Sequence, residues 1–130
     1  PIFGVATDDS HNYKDFSPEL SNPGRGWIMV QADQLNYEGI MSALGQGSFY
    51  ASTGVELYEY QSHAELISLG IQQERDYIYT TTFIGNNGTK LASSDSLSPS
   101  YQPMGDEKYV RSMVQSSSGT KAWTQPVFIN

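Results

Sequence analysis

At 130 residues the chain is long enough for one ordinary domain or two small lobes, burying about two thirds of its unfolded surface if well packed. Seven basic residues against fourteen acidic ones give a net charge of −7, spread over both halves without a basic stripe, so an electrostatic footprint for nucleic acid is absent and an anionic membrane surface is disfavoured. No apolar run approaches the ~20 residues that span a bilayer, no signal peptide is visible, and the lack of cysteine excludes disulfides and thiol catalysis while leaving the compartment undecided, the cytoplasm being slightly favoured.

Residues 2–6 (Ile-Phe-Gly-Val-Ala) form an apolar run that predicts a buried strand, and the polar residues Thr7-Asp8-Asp9-Ser10-His11 begin where that strand would end. In α/β enzymes the carboxyl ends of strands hold ligands and metals. A carboxylate and an imidazole two residues apart at such an edge, Asp9 and His11, can turn towards one divalent cation as oxygen and nitrogen donors. Taken by themselves, these residue types more often fill a strand-to-loop turn, with Asp8 or Asp9 capping backbone N–H groups.

The loop over 12–24 carries the turn signals Ser17-Pro18 and Asn22-Pro23-Gly24. A short apolar strand follows over 27–32. Asn36 then caps a helix whose apolar positions Tyr37, Ile40, Met41 and Leu44 share one face. Glu38 lies in the first turn, where it favours the helix dipole, and Gly45 is the expected left-handed stop. Residues 49–53 read as an extended segment leading out of this part. A division is expected near Gly54-Val55, giving segments 1–54 and 55–130.

Beyond that point every apolar run is β-type: 57–60, 65–71, 77–84, 109–114 and 127–129. Ile67, Leu69 and Ile71 alternate with smaller or polar neighbours, and Tyr77, Tyr79, Thr81 and Phe83 alternate with Ile78, Thr80, Thr82 and Ile84. Asn86-Asn87-Gly88 and Ser116 to Gly119 are tight-turn signals between strands. Short strands at near-regular spacing predict a mainly antiparallel, immunoglobulin-like β-sandwich. The Ser- and Pro-rich stretch 93–106 reads as a long loop without regular structure. In the last strand segment, alternation puts Trp123, Gln125, Val127 and Ile129 on one side, so Trp123 is expected to anchor the sandwich core rather than to serve as a ligand platform. Pro126 marks an edge or a bulge.

Residues 26–54, Gly-Trp-Ile-Met-Val through Gly-Ser-Phe-Tyr-Ala-Ser-Thr-Gly, following a Thr-Asp-Asp-Ser-His segment, resemble the end of the metal-dependent phosphoesterase domain of the polymerase and histidinol phosphatase (PHP) family. The tail, Lys108-Tyr-Val-Arg111 through Lys121-Ala-Trp-Thr-Gln-Pro-Val-Phe-Ile129, is similar to the end of the β-sandwich appended in one branch of that family. The likeness is weakest over 74–104. It implies an α+β fragment: the last strands and a short helix of a distorted β/α barrel over 1–54, then the appended sandwich over 55–130. It also implies that Asp9 and His11 are metal ligands, with Asp8 beside them in the second shell or orienting the loop. The cofactors implied are divalent zinc, manganese or iron, and the substrate a phosphorylated small molecule.

That family opens its barrel with a His-x-His pair, and this chain has two histidines in all, His11 and His63, in no such pair. The expectation is a carboxyl-terminal piece of a longer enzyme, in keeping with an opening Pro1-Ile-Phe that lacks Met, and inactive by itself. Its uncovered apolar faces, Ile2, Phe3, Val5, Ile28, Val30, Ile40 and Leu44, then favour a homo-oligomer. The alternative is a non-catalytic β-sandwich module that binds carbohydrate or peptide. Other features are better explained by structure. Gly45-Gln-Gly47 lacks the Lys of a phosphate loop. The Asn87-Gly-Thr sequon is accounted for by its tight turn, the nine tyrosines by strand packing, and His63 by an exposed joint between strands. Ser10 beside His11 is no triad, since neighbours on an extended segment point apart.

Overall fold

The computed structural model describes residues 1–129. Ten strands and one helix follow the order β1 (Trp27–Val30), α1 (Tyr37–Gln46), β2 (Phe49–Ser52), β3 (Leu57–Ser62), β4 (Ile67–Ile71), β5 (Tyr79–Ile84), β6 (Lys90–Ser94), β7 (Ser100–Tyr101), β8 (Tyr109–Ser116), β9 (Lys121–Thr124) and β10 (Val127–Phe128). Seven of the strands make one sheet in the order β1-β2-β9-β8-β5-β6, with β10 also on β8, and the other three make a second sheet, β3-β4-β7. Every pairing is antiparallel. The fold is therefore mostly antiparallel β-sheet with one short helix, and its two sheets pack like a sandwich.

The core follows from strand alternation. In β5 Tyr79, Thr81 and Phe83 are buried; in β8 it is Val110, Ser112, Val114 and Ser116; in β4 Ile67, Leu69 and Ile71. Leu69 and Ile71 of the smaller sheet meet Tyr79, Val114, Ala122 and Tyr50 of the larger one, with Val55 among them. A second cluster joins Ile67, Phe83, Tyr101 and Val110, in which the Phe83 and Tyr101 rings stack at 5.4 Å. Each fully buried side chain of this size contributes about 1.5–3 kcal/mol relative to exposure.

Strands from both sides of Gly54 share the larger sheet. Tyr50, Ala51 and Ser52 of β2 pair with Thr124, Trp123 and Ala122 of β9. The chain crosses from one sheet to the other through a turn tied by the buried Ser52 hydroxyl, which donates to the Val55 carbonyl at 2.7 Å.

Four expectations are revised. Residues 2–6 form no strand: they pair with no strand among the described residues, and Ile2 and Val5 remain 93% and 63% exposed. The helix begins as its sequence predicts, with the Asn36 side chain accepting the Gly39 N–H at 2.8 Å, but it ends at Gly47 rather than Gly45. Gly47, at φ 75°, donates to Leu44 and Ser48 donates to Ala43, closing a Schellman motif. A β-carbon at Gly47 would lie 2.5 Å from the Phe3 ring, so this position must be both left-handed and bare.

The stretch 93–106 is not all loop. Ser100 and Tyr101 pair with Ser68 and Ile67, and the Pro99 and Leu97 carbonyls accept from Leu69 and Ile71, so this polar run edges the small sheet. Pro99 contributes only its carbonyl, which suits an edge position. Finally, Trp123 lies outside both core clusters. In β9 the inward residues are Ala122 and Thr124, and Trp123 is half-buried on the outer face, opposite Met113 and Ala51. The chain breaks register at Gln125-Pro126, so Val127 and Ile129 turn back to the core while Trp123 does not.

Candidate functional site

The segment that carries Asp9 and His11 is held in place at three points, two through its backbone and one through the Asp8 side chain. The first is Gln125, whose buried side-chain amide reaches across the whole chain. Its Oε1 accepts the Gly4 N–H at 2.8 Å and its Nε2 donates to the Gly4 carbonyl at 2.7 Å. One amide thus gives residue 4 the two bonds that a neighbouring strand would otherwise supply. Near the same point the Phe3 ring meets Phe49 edge-on at 6.0 Å and covers Gly47.

The second anchor is Asp8. Its carboxylate accepts the N–H groups of Gly24, at 3.0 Å, of Gly26, at 2.7 Å, and of Arg25 between them. Three convergent amides form an anion-binding turn. These donors, Gly26 foremost, then Gly24 and Arg25, with the Arg25 charge added, hold the Asp8 carboxyl below its ordinary value. The third anchor is the Ser21 carbonyl, which accepts the backbone N–H groups of both His11 and Asn12 at 2.9 and 3.0 Å.

Behind these anchors the loop over 12–24 is organised by Asn22, which is 4% exposed. Its Nδ2 donates to the carbonyls of Asn12 and Asp15, both at 2.9 Å, and its Oδ1 accepts the Ser17 N–H at 3.1 Å. The Arg25 guanidinium adds a bond to the Ser17 carbonyl at 2.7 Å. Sequence reasoning saw a turn at Asn22-Pro23-Gly24 but gave no role to Asn22, Arg25 or Gln125. Asn before Pro-Gly could have signalled the first. The Gln125 bonds join residues 121 apart in the chain, a separation that no local pattern encodes.

Asp9 and His11 lie between the anchors, both exposed, with Asp9 in the left-handed region at φ 49°. Left-handed backbone is uncommon for a residue other than Gly and best tolerated by Asn and Asp. No group of three or more His, Asp or Glu side chains placed to hold a metal ion occurs among the described residues. Asp9 and His11 therefore present at most one carboxylate and one imidazole, with Asp8 committed to three amides.

One cavity adjoins this segment, and a second lies apart from it. One, of about 780 Å³, lies between residues 2–7 and the outer face of the large sheet, with Arg111, Trp123 and Phe128 on its wall. The other, of about 880 Å³, is polar and runs between α1 and the end of β3, where His63, Gln61 and Tyr60 face Gln31, Asp33 and Asn36. His63 is exposed and sits in a tight turn in which its backbone N–H donates to Leu66 and Leu66 donates back. No family model, curated protein or solved structure matches the chain. No helix among the described residues is long and apolar enough to cross a membrane.

Proposed function

We propose that this chain is the carboxyl-terminal portion of a PHP-type metal-dependent phosphoesterase and contributes Asp9 and His11 as the last ligands of its divalent-cation cluster. The observation that supports this most is the state of the amino-terminal segment. It is apolar yet pairs with no strand among the described residues, its Ile2 and Val5 stay exposed, and it ends in a carboxylate and an imidazole that are both exposed. That is the condition expected of a barrel strand whose neighbours belong to residues outside this chain.

The donor chemistry fits. A carboxylate oxygen and a neutral imidazole suit zinc, manganese or iron, and two donors leave further positions for ligands from the rest of a barrel. Bound there, such ions would polarise phosphate oxygens and lower the pKa of an attacking water. What this chain's own residues do is fix the approach. Asp8 is spent on the 24–26 turn, which orients the loop, and the Ser21 carbonyl holds the backbone at His11, so the two donors start from a defined backbone. The substrate proposed is a phosphorylated small molecule.

The test is metal-stimulated hydrolysis of bis(p-nitrophenyl) phosphate. Protein that includes the complete barrel should turn the ester over, and Asp9→Ala or His11→Ala should each reduce the rate at least ~100-fold. The 130-residue chain should show no turnover in manganese or zinc. Unchanged rates in both variants of the longer protein would remove the ligand assignment, and turnover by the 130-residue chain would mean that its ligand set is already complete.

A second reading, a non-catalytic module for carbohydrate or peptide, has the polar cavity beside α1 in its favour. The Gln31 amide and the Gln61 Oε1 offer there donors and acceptors of the kind that hydroxyl-rich ligands require, the Asn36 amide being taken up by the helix cap and by Gln34. Glycan binding that is lost on Gln61→Ala and is insensitive to metal would favour it.

A further inference from the structure

The outer face of the large sheet gathers six side chains that the metal motif does not use. Met113 of β8 stands opposite Trp123 of β9, and Trp123 stands opposite Ala51 of β2. Tyr109 and Arg111 share the face of Met113 by strand alternation, and Phe128 pairs with Tyr109. Residues 2–7 run over this face without filling it, because the Gln125 clamp fixes Gly4 and the Phe3 ring is taken up against Gly47 and Phe49. Ala51, the smallest side chain on the floor, leaves the space in front of the indole open.

The resulting cavity of about 780 Å³ falls within the range of small-molecule sites, roughly 300–1,000 Å³. Its charge pattern is specific. Among the described residues lining it, Arg111 is the one that carries a charge, with no Asp or Glu beside it there, in a chain of net charge −7. A guanidinium flanked by apolar walls is less screened than one in open water and offers a planar fork matched to a carboxylate. Gln125, the other strong polar group on the wall, has its amide engaged with Gly4 and has little left to offer a ligand.

We infer that this cavity binds a small amphipathic monoanion, a flat apolar body bearing one carboxylate, with the carboxylate on Arg111 and the body against Trp123 and Phe128. A single guanidinium matches a single negative charge. A phosphate dianion would meet the same one cation and the full repulsion of the acidic chain. The site uses neither Asp9 nor His11, but its outer wall, residues 2–7, is the segment that the phosphoesterase reading places in a barrel, so the binding test reads the 130-residue chain and is separate from any test of phosphoesterase activity.

The test uses the 130-residue chain carrying Trp27→Phe, so that the fluorescence reports Trp123 alone. 2-Naphthoate should perturb that emission saturably and bind at least about tenfold more tightly than its neutral analogue 2-naphthalenemethanol. Arg111→Met, which keeps an apolar stem, should abolish the difference by weakening the anion only, and Arg111→Lys should keep part of it. Equal affinities in the parent protein overturn the proposal without recourse to any Arg111 variant. So does an anion preference that survives Arg111→Met, or the absence of saturable binding of either probe up to about 1 mM.

Discussion

Replacing Gln125 with Leu removes both clamp bonds to Gly4 while keeping side-chain volume. A hydrogen bond contributes about 0.5–1.5 kcal/mol net, and Gly4 is exposed, so water can take over the freed groups. The pair therefore anchors the segment by about 1–3 kcal/mol, which corresponds to an opening equilibrium about 5- to 150-fold larger in the variant. The effect should be local, because neither bond lies within the two core clusters and the remaining anchors are separate. Asp8 still holds the 24–26 turn, and the Ser21 carbonyl still holds the amides of His11 and Asn12. Amide hydrogen exchange read residue by residue resolves this. The Gly4 amide should lose protection by that factor, while those of His11 and Asn12 change by less than about threefold. Equal loss at all three amides would refute the separate anchors, and an unchanged Gly4 amide would refute the clamp.

Further outcomes follow from the same geometry. Gly47→Ala should destabilise by more than about 1 kcal/mol in urea melts, since it adds a left-handed penalty to displacement of the Phe3 ring. Glu107 is held at about 2, chiefly by the Tyr101 hydroxyl donating at 2.5 Å, so its contribution is complete above its ordinary 4.5 and is lost as pH falls towards 2. Tyr101 is pushed up to about 12 by the same bond, so that contribution is complete below 10 and is lost as pH rises towards 12. Tyr101→Phe should flatten both limbs in melts at about pH 3, 7 and 11. Self-association through the uncovered segment should appear as a concentration-dependent mass in light scattering and be reversed by Ile2→Ser with Val5→Ser. A constant monomer mass would mean that the exposed apolar residues have no partner surface.

Most of the sandwich could be read from period-two patterns because burial and alternation coincide there. Tyr79, Thr81 and Phe83 point inward as their spacing predicts, and the turns at Asn86 to Gly88 and Ser116 to Gly119 lie between the strands they were expected to join. The helix start was equally legible, since an Asn cap acts within one turn. Its end was not: Gly45 and Gly47 are both plausible stops, and the choice depends on Phe3, which is remote in sequence.

Strict alternation through Gln125-Pro126 puts Trp123 on the wrong face, because the ladder breaks there. Phe83→Ala should cost about 3–5 kcal/mol, and Trp123→Ala distinctly less. At the candidate site, the exposure of Asp9 and His11 follows from their polar neighbours. The clamp beneath them comes from the other end of the chain, beyond what any local pattern encodes. The segment 2–6 reads as a strand by composition, but a strand also needs a partner, and composition does not say where one lies.

The pairing of β2 with β9 also sets the order in which the molecule can assemble. Ser52 meets Lys121 across 69 residues, so on a ribosome β1 and β2 wait about 3–14 s for their neighbour at 5–20 residues per second. During that interval β1, β2 and α1 lack β9 and have only the strands already made to pack against, Tyr50 meeting Val55, Leu69 and Ile71, and the Gly4 clamp cannot form at all. The β5–β6 hairpin is local and can form first; β8 then extends it, and β9 presents the edge on which the early strands finally dock. A chain that stops short of Lys121 would keep much of the sandwich and leave β2 paired with β1 alone, its β9 side an open edge of the kind that seeds aggregation.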